Sequence, residues 1–180
     1  MRVLLVVALV LPLVGHAVLV QELDPDPNRI FLTQLKWKSV AGESRDKSAN
    51  GTLAILYAEG VYAEVTSAFV KRGGSPQIAL NLNNSSVVRI GTWKRLEDSD
   101  LIRIESREMP RSPEGETKLG QPLTARTCRL ERPSSTHIAD TIVCQGLVAN
   151  HAQKAIGLDG FPSRVCQLID TQNKAAVLTQ

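Results

Sequence analysis

All three cysteines, Cys128, Cys144 and Cys166, and two of the three histidines, His137 and His151, fall within 39 residues of one another. Thiol and imidazole groups so gathered could bind a soft metal ion, form a disulfide, or pair a nucleophile with its base. The spacing opposes a metal, because 15 residues separate the first two cysteines and 21 the next two, with no close Cys-x-x-Cys pair. Ser134, Ser135 and Asp140 lie near His137, but nearness in sequence carries little weight when catalytic groups usually converge from distant segments. The chain has no nucleophile elbow, no HExxH and no Gly-rich phosphate loop. We therefore assign no catalytic residue, no metal ligand and no cofactor.

A disulfide is the expected fate of paired cysteines in an oxidising compartment. Cys128 and Cys144 lie on two strand-like runs, 123–130 and 138–145. Pairing those runs about the middle of their connection, 131–137, brings the two sulfurs opposite each other. Cys166 is then left as a free thiol, behaving as a small hydrophobe on a closing strand over 164–170. Of the aromatic side chains, Tyr57, Tyr62 and Trp93 are the candidates to line a ligand pocket, since each offers a large apolar area with a polar tip.

The compartment is read from the N-terminus. Residues 3–14 are apolar apart from Pro12, follow Arg2 and lead into Gly15-His16-Ala17, the pattern of a secretory signal peptide. An uncleaved anchor is the rival, because the apolar stretch runs on to Val20. Pro12, Gly15 and His16 favour cleavage, which leaves a mature chain with no stable membrane insertion. Loss of Arg2 lowers the net charge from +3 to +2, too dilute for the basic face that nucleic-acid binding requires. Asn50-Gly51-Thr52 and the overlapping triplets at Asn83 and Asn84 match glycosylation acceptors and predict exposed loops.

The elements that would position these residues are strands. The runs 52–58 and 61–70 flank Glu59-Gly60 and predict a hairpin with Gly60 at positive φ and Tyr57 facing Tyr62. Ile78, Leu80 and Leu82 alternate with polar or small residues. The runs 87–94 and 100–108 predict a second hairpin in which Ile90 pairs with Ile104, Arg89 with Glu105 and Lys94 with Asp100. Residues 41–50 read as a mobile charged loop, 110–122 as a long internal loop rich in Pro and Gly, and 147–156 as a short helix capped by Gly157. Six of the seven aromatics lie between residues 31 and 93, so the remainder would have a poor core alone. The organisation that follows is a signal peptide over 1–17, a lead-in over 18–27, one β-domain over 28–170 and a tail over 171–180.

Glu59, Gly60 and Tyr62 in a hairpin, then Gly91-Thr92-Trp93, a polar turn and Leu101-Ile102-Arg103-Ile104, resemble the meanders of small lipocalin-like domains of secreted bacterial proteins. The resemblance covers residues 51–108 best and carries no functional residue; typical lipocalins place Gly-x-Trp on the first strand, not a middle one. It implies a calycin-type barrel able to hold an apolar ligand. The expectation is thus an all-β antiparallel meander of eight to nine strands, closed or nearly closed, with one short helix near the C-terminus. Its expected role is non-catalytic binding, in the periplasm or outside the cell, of a small apolar ligand or an envelope protein. A solid-cored interaction module is the alternative, and a hydrolase with an unrecognised site stands behind both. Intact-mass analysis of the exported protein should find a chain beginning near Val18; a mass retaining residues 1–17 would refute the processing.

Overall fold

The computed structural model describes residues 25–83, 85–109, 123–152 and 156–158, with Phe161 and Val165. The expected signal peptide, most of the lead-in, the 110–122 loop, Cys166 and the tail lie outside the described residues. The first described element is a 3-10 turn, Pro27–Arg29, with the Asp26 carboxylate accepting from the Asn28 amide. Eleven strands follow among the described residues: β1 Ile30–Thr33, β2 Lys38–Val40, β3 Glu43–Leu56, β4 Val61–Lys71, β5 Ile78–Asn81, β6 Val87–Arg95, β7 Leu101–Glu108, β8 Thr124–Glu131, β9 Thr141–Cys144, β10 Leu147–His151 and β11 Ile156–Gly157.

The fold is all-β and the sheet closes on itself. Strands β3, β4, β6, β7, β8, β9 and β10 pair antiparallel in that order, and β1 joins β10 to β3, completing a ring of eight. Eight strands leave an interior just wide enough for side chains to fill. Each of the eight supplies at least one residue to the lumen: Phe31, Leu56, Tyr62, Trp93, Ile104, Leu130, Ile142 and Leu147. A second apolar cluster covers the outside of the wall formed by β1, β3, β4 and β6, where Leu53, Ile55, Ala63 and Ile90 pack against Leu35, Trp37, Phe161 and Val165.

Strands β3 and β4 outrun the barrel. Lys47↔Lys71 to Ala49↔Phe69 form a ribbon flanked by β2 and β5, with β11 added parallel to β5. The charged stretch expected to be a mobile loop over 41–50 is therefore mostly strand. It buries little, and its order comes from hydrogen bonds to β2 and β4 rather than from an apolar face. Asn50 lies in that strand, exposed, not in a loop.

Both expected hairpin registers are corrected. Gly60 does take positive φ, +80°, but the Tyr57 amide donates to the Val61 carbonyl at 2.9 Å, so the loop holds Ala58, Glu59 and Gly60. A two-residue type I′ loop would need Glu59 at positive φ as well. Leu56 consequently opposes Tyr62, and Tyr57 and Tyr62 point to opposite faces of the sheet. In the second hairpin Trp93, not Ile90, opposes Ile104. The Leu96 amide donates to the Leu101 carbonyl at 2.9 Å, leaving a four-residue turn with Asp98 at φ +53°. The shift of three residues sends Ile90 to the outer cluster and Ile104 to the lumen. Exposed ion pairs are worth ~0–1 kcal/mol, less than burying the ring of Trp93 against Ile104.

Among the described residues of 147–156, where a helix was expected, there is none: β10 runs to His151 and β11 opens at Ile156. A two-residue turn, Gln145-Gly146 with Gly146 at φ +76°, sends the chain straight back along β9. Helical residues occur later, at Phe161 and Val165, so Val165 is not on the strand expected over 164–170. A disulfide joins Cys128 to Cys144, directly across the β8–β9 pair with Cα atoms 4.3 Å apart. It closes a 17-residue loop, a constraint worth about 3 kcal/mol through the unfolded chain.

Gly91 lies where β6 presses against β7. A methyl group built there would overlap the Glu105 carbonyl oxygen and crowd the Ser106 Cα, both backbone atoms that cannot turn aside. Gly91→Ala should destabilise the domain by more than about 2 kcal/mol in urea unfolding; a loss under about half a unit would mean the strands are not this close.

Candidate functional site

The lumen is apolar toward the end holding Phe31, Leu56 and Ile102, and polar toward the end where β7 finishes and β8 begins. Strand alternation builds the polar end. Tyr62 and Glu64 are two residues apart on β4, Arg89 opposes Glu64 from β6, and Glu108 opposes Arg89 from β7. Arg126 reaches in from β8.

Glu64 is the centre of the group and only 3% exposed. Its Oε1 accepts from Arg89 Nη1 at 2.8 Å, and its Oε2 accepts from both the Tyr62 hydroxyl and Arg126 Nη2. Arg126 Nη2 also lies 3.0 Å from the Tyr62 oxygen, with the guanidinium 5.9 Å from the ring centroid. Arg89 is shared with Glu108 at 3.4 Å near the rim. Burial alone would push the Glu64 carboxyl up, but hydrogen bonds from Tyr62 and Arg126 and the nearby guanidinium charge outweigh it, and its pKa falls below the ordinary value. Burial, then the Glu64 charge, hold the Tyr62 hydroxyl well above the usual phenol range. Burial would lower Arg126, but Tyr62 and Glu64 overcome it and raise its pKa. The cluster ties β4, β6 and β8 together through paired charges.

Two buried polar atoms beside it have no hydrogen-bond partner among the described residues: Ser106 Oγ and Arg126 Nε. Ser106 shares the lumen-facing side of β7 with Ile102 and Ile104, across from Gly91 and Thr124. Buried polar groups are normally paired, and those that are not call for an explanation.

The sequence-derived candidates are dispersed by comparison. Tyr57 belongs to the outer cluster and Tyr62 to the lumen, so the two cannot line one pocket. Trp93 packs against the lumen cluster, donates from Nε1 to the Tyr57 carbonyl at 2.8 Å and carries the Arg29 guanidinium 5.9 Å from its ring. Ser134, His137 and Asp140 do meet. Ser134 Oγ is 3.0 Å from His137 Nδ1, and Asp140 Oδ1 is 2.7 Å from Nε2. Both ring nitrogens are thus taken up within one short connection, and Ser134 Oγ accepts from the Thr136 and His137 amides at 3.2 Å. These contacts fasten the turn at the start of the β8–β9 connection. Among the described residues no group of three His, Cys, Asp or Glu is placed to hold a metal ion, and no helix is long and apolar enough to cross a membrane.

Glu64, Ser106 and Arg126 were not singled out from sequence, and Arg89 was placed in a surface pair with Glu105. The available signal was Glu64 itself, a lone acid within the apolar run VYAEVTSAFV at the same parity as Tyr62.

These features define an eight-stranded antiparallel barrel, extended by a ribbon, with a buried ionic cluster at one end. No family model, curated protein or solved structure matches the chain.

Removing one partner of a buried ion pair strands the other, at about 3–5 kcal/mol, whereas replacing both with apolar groups is often neutral. Glu64→Ala should cost about that much in urea unfolding, and the double variant Glu64→Leu, Arg126→Met much less. Because the Glu64 pKa is depressed, its contribution is present in full above the ordinary value of 4.5 and is lost as pH falls below it. The Glu64→Ala penalty should therefore shrink in acid; a pH-independent penalty would refute the charge pairing.

Proposed function

We propose that the chain is a non-catalytic binding domain, secreted or periplasmic, whose ligand enters the polar end of the lumen. One observation carries the reading: among the described residues, Ser106 Oγ and Arg126 Nε are buried and have no hydrogen-bond partner, beside a charge cluster whose other groups are paired. A small ligand with an oxygen acceptor would complete both and could rest its apolar part on the adjoining aliphatic side chains. This narrows the expected apolar ligand to one with a polar oxygen. The apolar leader and the buried disulfide support an oxidising, extracytoplasmic setting, and the lipocalin-like resemblance fits a barrel with such a role. An envelope-protein partner is the second reading, favoured by Leu123 and Val148, which remain 53% and 58% exposed beside and on β8 to β10.

Titration with 1-hexanol and with hexanoate, followed by amide chemical shifts, tests the first reading. Shifts should centre on Ser106 and its neighbours, and Ser106→Ala should weaken binding about tenfold, the equivalent of one hydrogen bond at ~1.4 kcal/mol. Absence of saturable shifts with either probe, or equal binding by the variant, would overturn it.

A further inference from the structure

At the opposite, apolar end, the connection between β8 and β9 folds over the barrel. Ile138 and Ala139 from this connection enter the lumen cluster, Ala139 completely buried. The connection is tied down by the Ile138 amide on the Asn28 carbonyl at 3.4 Å, the Asp140 amide on the Glu131 carbonyl at 2.9 Å and the His151 amide on the Asp140 carbonyl at 2.7 Å. Its one aromatic fastener is His137, whose ring lies flat on that of His151, centroids 4.4 Å apart and planes within 7°. His151 stands at the end of β10, with Phe31 of β1 edge-on to it at 6.0 Å.

We infer that the stacked pair His137–His151 is an acid-operated latch: protonation of His151 releases the β8–β9 connection from the end of the barrel. His151 Nε2 lies 3.2 Å from the Pro27 carbonyl, a contact that requires the proton to be on Nε2. A second proton must then go to Nδ1, creating a positive ring against its stacked neighbour. The groups around it divide. The Pro27 carbonyl, then Asp140 and Asp26, favour the charge; Asp140 is already engaged by His137 and by Arg132 at 3.3 Å. Burial and His137 oppose it, and with burial the largest influence the His151 pKa falls below the ordinary histidine value of 6.5. Lifting the connection away removes the stacked His137 ring and the share of the burial that ring supplies, together with Asp140. Acid therefore favours the open form, over a window that starts near the ordinary value and extends below it. The inference is independent of any ligand at the other end of the lumen.

Hydrogen exchange on the full chain, expressed as protection factors so that the intrinsic pH dependence cancels, tests the latch. Between about pH 7.5 and about pH 5, amides of residues 132–140 should lose protection severalfold. Amides of β4 and β6 should keep theirs. His151→Phe, which retains a flat ring but cannot titrate, should abolish the dependence. Should that variant fail to fold, His151→Gln and the imidazole C2-proton titration of the unmodified protein give the same decision, with His151 expected to titrate below its ordinary range. Unchanged protection of 132–140, equal loss across the whole barrel, or a pH dependence that survives in the His151 variants would each overturn the latch.

Discussion

A strand of four residues closes this barrel. Ile30–Thr33 is hydrogen-bonded along both sides, to β10 through Phe31↔His151 and to β3 through Phe31↔Ala54, so it leaves neither neighbour with a bare edge. Without it the wall would be an open sheet with two unpaired rims, a template for association with other chains. Phe31 is the residue on which that closure turns: fully buried, it fills the lumen from the closing strand and sets an edge against His151. The strand is short because it needs only to bridge. The longer β3 and β4 carry the ladder on both sides of it and then leave the barrel altogether.

Closure makes the lumen a confined space, and the chain fills its two ends differently. One half is aliphatic and aromatic. The other encloses a carboxylate, two guanidinium groups and a phenol. Such a cluster is a weak source of stability, since desolvation offsets much of the attraction, but it is exacting about geometry. Glu64 is satisfied only while β4, β6 and β8 present Tyr62, Arg89 and Arg126 together. A one-residue slip of β6 against β4 would turn Arg89 out of the barrel and leave Glu64 short of a partner. The charges therefore enforce at this end the register that apolar packing enforces at the other. Among the described residues Ser106 Oγ and Arg126 Nε are outside that mutual accounting, and it is on them that the proposed ligand rests.

What could be seen in the sequence was local and periodic. The alternation in β5, the positive φ at Gly60 and the opposition of Cys128 and Cys144 each depend on a few neighbouring residues. Register was harder, because Arg89 and Glu105 offered a plausible surface pair while the true partner of Arg89, Glu64, sits one strand further away and 25 residues earlier. The polar half of β3 was unreadable by composition, since its order comes from backbone hydrogen bonds to strands on either side. In β10 the alternation was present, with Leu147 and Ala149 buried and Val148 exposed, but five residues are too few to separate a strand from a helix by pattern alone.

The same closure determines which parts can move. Interior strands of a closed ring cannot separate without breaking ladders on both sides, so low-energy opening belongs to connections at the ends. Among the described residues, the β8–β9 connection is the one that inserts side chains into the lumen cluster from outside the ladders. The disulfide holds Cys128 to Cys144, leaving the strand ends next to the connection dependent on weaker ties. Those ties converge on Asp140, whose amide, carbonyl and carboxylate all bind: to Glu131, to the His151 amide and to the His137 ring. Loosening the two stacked rings thus acts on the residue through which the connection is attached to β10, and the closing strand β1 lies immediately beyond it.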